Sequence, residues 1–191
     1  MKTLIIYAHP ETPGHAPETL NQVELKLKKT SSEYEVIDLY KIGYNPVLQN
    51  DEHYTTGNRN ISQQNIEIQN KINQSENLIF IYPIWWGTMP AILKGFFDRI
   101  LTRGFAFSMG NHGIPNKLLK GKKAVVFTSS GSPYILYLLS NLSKTLIKNK
   151  ILGFCGIKTK VFQVYSANKL DEKNIQKIKK NVDKGFKFLD L

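Results

Sequence analysis

A chain of 191 residues has the length of one domain and can bury a core without disulfides or metal; 41% hydrophobic, 21% charged and 11% aromatic residues exclude a disordered or fibrous protein. The formal net charge of +11 raises nucleic acid or an anionic surface as partners, yet residues 1–110 carry 10 basic and 11 acidic side chains while residues 111–191 carry 16 and 4. Of the 26 cations 23 are Lys, and base-reading surfaces favour the guanidinium fork, so a solvated lysine face is the preferred reading and nucleic acid is not expected as a partner.

The apolar run at residues 3–8 has strand length and is broken by His9-Pro10, too early for a signal peptide. No run approaches the ~18 apolar residues of a membrane span, which leads to the expectation of a cytoplasmic protein without stable membrane insertion. Leu20, Val23, Leu25 and Leu27 follow as a helix beginning near Thr19. Residues 34–39 alternate like an edge or second strand. The Asn/Gln-rich stretch 50–74 is expected to be a mobile insertion, although Ile61, Ile66, Ile68 and Ile72 within it have helical spacing. Strand 78–82 precedes a helix through Ile92, Phe96 and Ile100; strand 124–128 precedes one through Leu138, Leu142 and Leu146; strand 160–165 precedes one through Ile175, Val182 and Leu189. The single Cys155 lies in an apolar stretch and reads as a core residue.

Strands buried on both faces and alternating with helices imply right-handed crossovers and a five-stranded parallel sheet covered on both sides. Ligands on such sheets bind beyond the carboxyl ends of the strands, here residues 9–21, 83–90 and 129–134. No Gly-x-Gly-x-x-Gly follows the first strand, no P-loop occurs, and Cys and His show no metal-ligand spacing. No Gly-x-Ser-x-Gly elbow is present either, which leaves hydrolase readings without support.

Residues 82–107, beginning Tyr-Pro-Ile-Trp-Trp-Gly-Thr-Met-Pro and ending Arg-Gly-Phe-Ala-Phe, closely resemble the signature of the NAD(P)H:quinone oxidoreductase family, the DT-diaphorase relatives. Ala8-His9-Pro10-Glu11, Asn45-Pro46-Val47-Leu48 and residues 152–157 extend the resemblance. It implies a flavodoxin-like α/β three-layer sandwich over residues 1–191 as a single domain. It further implies tightly bound FMN or FAD, NAD(P)H as co-substrate, ping-pong hydride transfer to a quinone or similar two-electron acceptor, and a homodimer with the active site at its interface. Azo- or nitro-reduction on the same fold is one alternative; a flavin-binding regulatory partner of a potassium-efflux transporter is another.

The resemblance places Pro83, Ile84, Trp85, Trp86 and Gly87 against the flavin ring. Two indoles beside exposed amides also suit it physically, while a core or dimer-interface role for Trp85 and Trp86 stays open. His9, Thr19, Leu20 and Asn21 match the phosphate-binding residues, with a residue 11–18 loop longer than the family spacing. Thr128, Ser129, Ser130 and Gly131 match the second flavin loop, where small residues admit close backbone approach. Tyr134 matches a tyrosine that takes up charge on the reduced flavin; no His stands at its partner position, leaving either a catalytic phenol or an aromatic wall. Phe107 and Met109, with His112, match a substrate roof contributed across the dimer, and burial of Phe105 and Phe107 against the partner is an equally good reading.

Overall fold

The computed structural model describes residues 2–10, 13–53, 60–110, 114–138 and 141–191. Five strands, β1 (Thr3–Tyr7), β2 (Tyr34–Asp38), β3 (Asn77–Pro83), β6 (Lys123–Ser129) and β7 (Lys158–Val164), form one parallel sheet in the order β2-β1-β3-β6-β7. The unbroken apolar runs of β1 and β3 follow from burial on both faces. Along β1 the side chains alternate: Leu4, Ile6 and Ala8 enter one core and Ile5 and Tyr7 the other.

Helices α1 (His15–Lys29) and α6 (Glu172–Leu189) cover the Ile5 face with Val23, Leu27, Ile178, Val182 and Phe186. The opposite face is covered by α2 (Gln63–Gln74), α3 (Ala91–Ile100) and a composite helix. That last helix runs as α4 (Leu142–Thr145), a π-helical stretch Leu146–Leu152 and α5 (Gly153–Cys155). Cys155 is buried in this core, and burial pushes its thiol up to about 11, so it is inert packing as expected.

Three expectations need correction. Residues 63–74 are no insertion. Asn65 and Gln69 of α2 are buried and partnered, Gln69 Nε2 donating to Ile100 O at 2.9 Å and Asn65 Oδ1 accepting from Tyr44 at 3.0 Å. Amides so used dock a helix, whatever the polarity of the stretch; residues 54–59 lie outside the described part. Second, the helix expected from Leu138 starts at Leu142, after a 3₁₀ turn at Tyr134–Tyr137. Third, Phe107–Met109 and Pro115–Lys117 pair as an antiparallel hairpin, β4 and β5, in a region without strand-like alternation.

A buried ion pair ties the segment after β2 to α3. Arg99 Nε donates to Glu52 Oε2 at 2.8 Å and Nη2 to Oε1 at 2.5 Å, both side chains under a tenth exposed, and Nη1 reaches Asn45 O. Burial alone pushes the Glu52 carboxyl up, but hydrogen bonds from Arg99 and the Gln49 amide, with the guanidinium charge, leave it below the ordinary carboxylate range. Its contribution to stability is therefore complete above the ordinary carboxylate value of about 4.3 and is lost as pH falls through the depressed one. Replacing Glu52→Ala strands a buried cation and is expected to lower unfolding free energy at pH 7 by about 3–5 kcal/mol in urea, with the double change Glu52→Leu, Arg99→Met costing less.

Candidate active site

The parallel register brings the carboxyl ends of β1, β3 and β6 to one edge of the sheet, with Pro83 beside Ser129. Two contacts knit the loops that follow. Ile84 N–H donates to Ser129 O at 2.7 Å, and the His9 and Trp85 rings lie 6.2 Å apart.

After β3 the chain makes a tight turn. Trp85 and Thr88 exchange backbone hydrogen bonds of 2.9 and 3.1 Å, and Trp86 (φ 50°) and Gly87 (φ 78°) take left-handed conformations. This two-residue turn is of the mirror-image kind that Gly favours at its second position; Trp at the first costs conformational energy. The strain holds the Trp86 indole wholly in solvent, while Trp85 is 41% exposed, so neither is a core residue. The Trp86 and Gly87 N–H groups have no acceptor among the described residues, and the buried Thr88 hydroxyl is unpartnered.

After β6, Thr128 is buried with its hydroxyl unpartnered. Ser130 is spent on structure. Its N–H donates to Val164 O (2.9 Å), its carbonyl accepts from Ala167 (2.8 Å), and its hydroxyl bonds Ser132 O and Gln163 Nε2. A Cβ at Gly131 would meet only the Oδ1 of the exposed Asn168 side chain, at 2.7 Å, a contact that rotation of that side chain can relieve. Tyr134 is more than half exposed and packs edge-on against Tyr165 at 5.1 Å, which also meets Tyr137 and accepts from Asn141 Nδ2. Beyond Tyr134 lies a groove of about 330 Å³ lined by Gln163, Tyr165, Ser166, Lys177, Lys180 and Asn181.

After β1, α1 begins at His15, so Thr19, Leu20 and Asn21 occupy its second turn. Thr19 bonds its own helix at His15 O (2.7 Å), Leu20 packs toward the core and Asn21 points to solvent. Of the 11–18 loop, residues 15–18 are the first turn of this helix. Pro17 sits in the first turn, where its missing N–H is no loss. The amides that precede the first helical bond, Glu18 N–H to Gly14 O, are those of His15 and Ala16, so residues 19–21 lie beyond the free helix N-terminus. His15 Nε2 is buried without a partner, and burial lowers its pKa, opposed by Asp171 and aided by Lys177. Sequence reasoning passed over His15 and Thr88; their Pro-Gly and Trp-Gly neighbours were the available signal.

Phe107 does not join this group within one chain. Its ring meets Phe154 at 5.2 Å and lines a separate cavity of about 230 Å³ with Leu48, Phe97, Leu101 and Arg103. Met109 is half exposed on the same hairpin, and His112 lies outside the described residues. The sheet edge thus offers a flat apolar surface, unused backbone donors and a helix N-terminus. A planar aromatic ligand with polar edges and an anionic tail fits that combination.

The model of the Flavodoxin_2 family, described as a flavodoxin-like fold, matches residues 1–185. The chain belongs to this family. A relative described as an uncharacterized NAD(P)H oxidoreductase of Haemophilus influenzae is 31% identical over 169 residues, covering 86% of this chain and 83% of its own length. Mouse ribosyldihydronicotinamide dehydrogenase [quinone] is 30% identical over 187 residues, with 85% and 80% covered. Among solved structures of this flavodoxin-like fold, Smu.1420 from Streptococcus mutans is 30% identical, covers 100% of both chains and superposes with a TM-score of 0.84. An FMN-dependent NADH-azoreductase from Bacillus anthracis, solved with FMN, shares the fold at 20% identity (TM-score 0.76; 98% of each chain covered).

Three substitutions test the site in the ligand-free protein. Thr128→Val removes a buried hydroxyl that has no partner and is expected to raise unfolding free energy by about 1 kcal/mol. Trp86→Ala is expected to change it by less than about 0.5 kcal/mol, since the Cβ and its left-handed strain remain, whereas Trp86→Gly should stabilise by relieving the turn.

Proposed function

We propose that this chain is a flavin-dependent NAD(P)H oxidoreductase that reduces quinones or similar two-electron acceptors in a ping-pong cycle. The family and the relatives described as NAD(P)H oxidoreductase and quinone dehydrogenase, which align with most of the chain, support the oxidoreductase assignment. The observation that carries the flavin reading is the Trp86-Gly87 turn, a fully exposed indole beside two unpaired N–H groups.

The residues present fit a flavin. Trp86 and Trp85 supply flat apolar surface. The Trp86 and Gly87 amides would supply donors for the polar ring edge, whereas the Thr88 and Thr128 hydroxyls are closed off from solvent. The His15 and Ala16 amides, with His9 alongside Trp85, face the phosphate. Flavin, when bound, supplies the hydride chemistry; no protein nucleophile is required.

The chain's own residues orient and shield. Pro83 and Ile84 fix the turn on Ser129, Gly131 admits close approach, and Ser130 anchors its loop to β7. Tyr134, braced on Tyr165, stands at the ring-edge loop as the candidate catalytic phenol. These residues would hold FMN, and the Lys177 and Lys180 groove beside Tyr134 offers cations that the additional phosphate of FAD would need. The β4–β5 hairpin with Phe107 and Met109 is offered to a second copy, completing the substrate roof in a homodimer.

The purified protein is expected to be yellow, or to become so with added FMN or FAD, and to oxidise NADH or NADPH with a soluble benzoquinone. Varying both substrates should give parallel double-reciprocal lines. A protein that stays colourless with both flavins, or intersecting lines, would contradict this reading.

A further inference from the structure

The pole of the molecule opposite the site carries charge that the proposed chemistry does not use. β6 and β7 begin there with Lys123 and Lys158, side by side in the parallel register, and α6 ends there. Lys158 and Lys160 stand two residues apart on β7, an outer strand of the sheet, and so project from one face. It is the α6 face, since Phe162 and Val164 continue the same alternation into the core beneath that helix.

Between this edge and the last turns of α6 runs an open groove of about 680 Å³. Lys123, Lys158 and Lys160 line it from the sheet, Lys184 and Lys187 from the helix. Asp190, the one acid lining it, is spent on an ion pair with Lys123. The half-buried Phe188 ring has the ammonium groups of Lys160 and Lys123 over it, at 4.9 and 5.8 Å from its centroid. Lys158, Lys160, Lys184 and Lys187 are exposed and have no acidic partner among the described residues. Ordinary uses of lysine account for part of this. Lysines on an outer strand deter pairing with another chain, and Lys187 in the last turn of α6 opposes the helix dipole. Neither use gathers ammonium groups from three elements round one groove, where their mutual repulsion costs stability until an anion enters.

We propose that this groove receives an acidic segment of a partner protein, its carboxylates meeting Lys158, Lys160, Lys184 and Lys187. Charge complementarity sets the sign of the partner, and three further features set its class. No arginine lines the groove, whereas phosphate-rich partners favour the guanidinium fork. The Phe188 ring is already engaged by two ammonium groups, which removes the open aromatic platform that a nucleic-acid base would need. None of the exposed large apolar side chains among the described residues lies in the groove, so a lipid surface has nothing to bury there. A second copy lacks the complement: the chain's adjacent acids are Asp51-Glu52 and Asp171-Glu172, with Glu52 buried against Arg99 and Asp171 capping α6. Because the groove lies at the amino ends of the strands, it leaves the site and the β4–β5 hairpin free for the homodimer. The proposal stands independently of the oxidoreductase reading.

The full chain is to be titrated into a fluorescein-labelled peptide of alternating Glu and Val, followed by anisotropy at about 0.1 M salt, where exposed charges beyond about 10 Å are screened. Saturable binding at one peptide per chain is expected, weakening several-fold as salt rises further. Lys184→Glu with Lys187→Glu should lose roughly tenfold or more in affinity. Lys158→Gln with Lys160→Gln, on the other wall, should lose several-fold. Lys169→Glu with Lys173→Glu provides a control of equal charge change, Lys173 standing about 16 Å along α6 from Lys184, and should bind within twofold of the unaltered chain. Absence of saturable binding overturns the proposal, as does binding unchanged in both groove variants. An equal loss in the control also overturns it, since net charge alone then accounts for the binding. Displacement of the peptide by oligodeoxythymidylate at lower concentration than by unlabelled peptide assigns the groove to nucleic acid and overturns it too.

Discussion

The parallel register of β1, β3 and β6 is the constraint on which the site depends. Thr3 lies beside Asn77, which lies beside Lys123, so the three central strands start level, and their carboxyl ends reach one edge of the sheet. The turn with the unpaired Trp86 and Gly87 amides leaves from that edge. The register is held by burial: a one-residue slip would turn Ile5, Ile79 and Val125 toward the wrong core, exchanging the two clusters on either side of the sheet. A turn as strained as that at Trp86 persists because Ile84 is bonded to Ser129 and Met89 is buried on its other side.

Much of this order is legible in the sequence, for physical reasons that differ by element. The central strands declare themselves because double-sided burial demands unbroken apolar runs, and α6 because a helix on a sheet shows solvent one lysine-rich stripe. The Trp-Trp-Gly segment stood out by resemblance, but the sequence left a core or interface role open for both indoles, and only the structure shows them exposed. By contrast, isoleucine spacing marked α2 as helix but its docking hid behind Asn and Gln, whose burial depends on partners as distant in sequence as Ile100 and Tyr44. The hairpin of Phe107 and Met109 hid because three-residue strands carry no periodicity.

The phosphate end shows where resemblance and local physics part. The helix expected to begin near Thr19 begins one turn earlier, at His15, with Pro17 in its first turn. First-turn proline is compatible with helix, and the amides that remain free belong to His15 and Ala16. Ser130 is a similar case. Its hydroxyl type suggested a ligand contact, yet four bonds commit it to the scaffold.

The central claim is that the Trp86 indole waits in solvent for a planar ring. Titrating the flavin-free protein with FMN while following tryptophan emission tests it most directly. Stacking on Trp86 should quench that emission saturably at one flavin per chain, with a Trp86→Phe variant losing most of the quenching while still binding. Emission unaltered at saturating FMN, or equal quenching in the variant, would contradict the account.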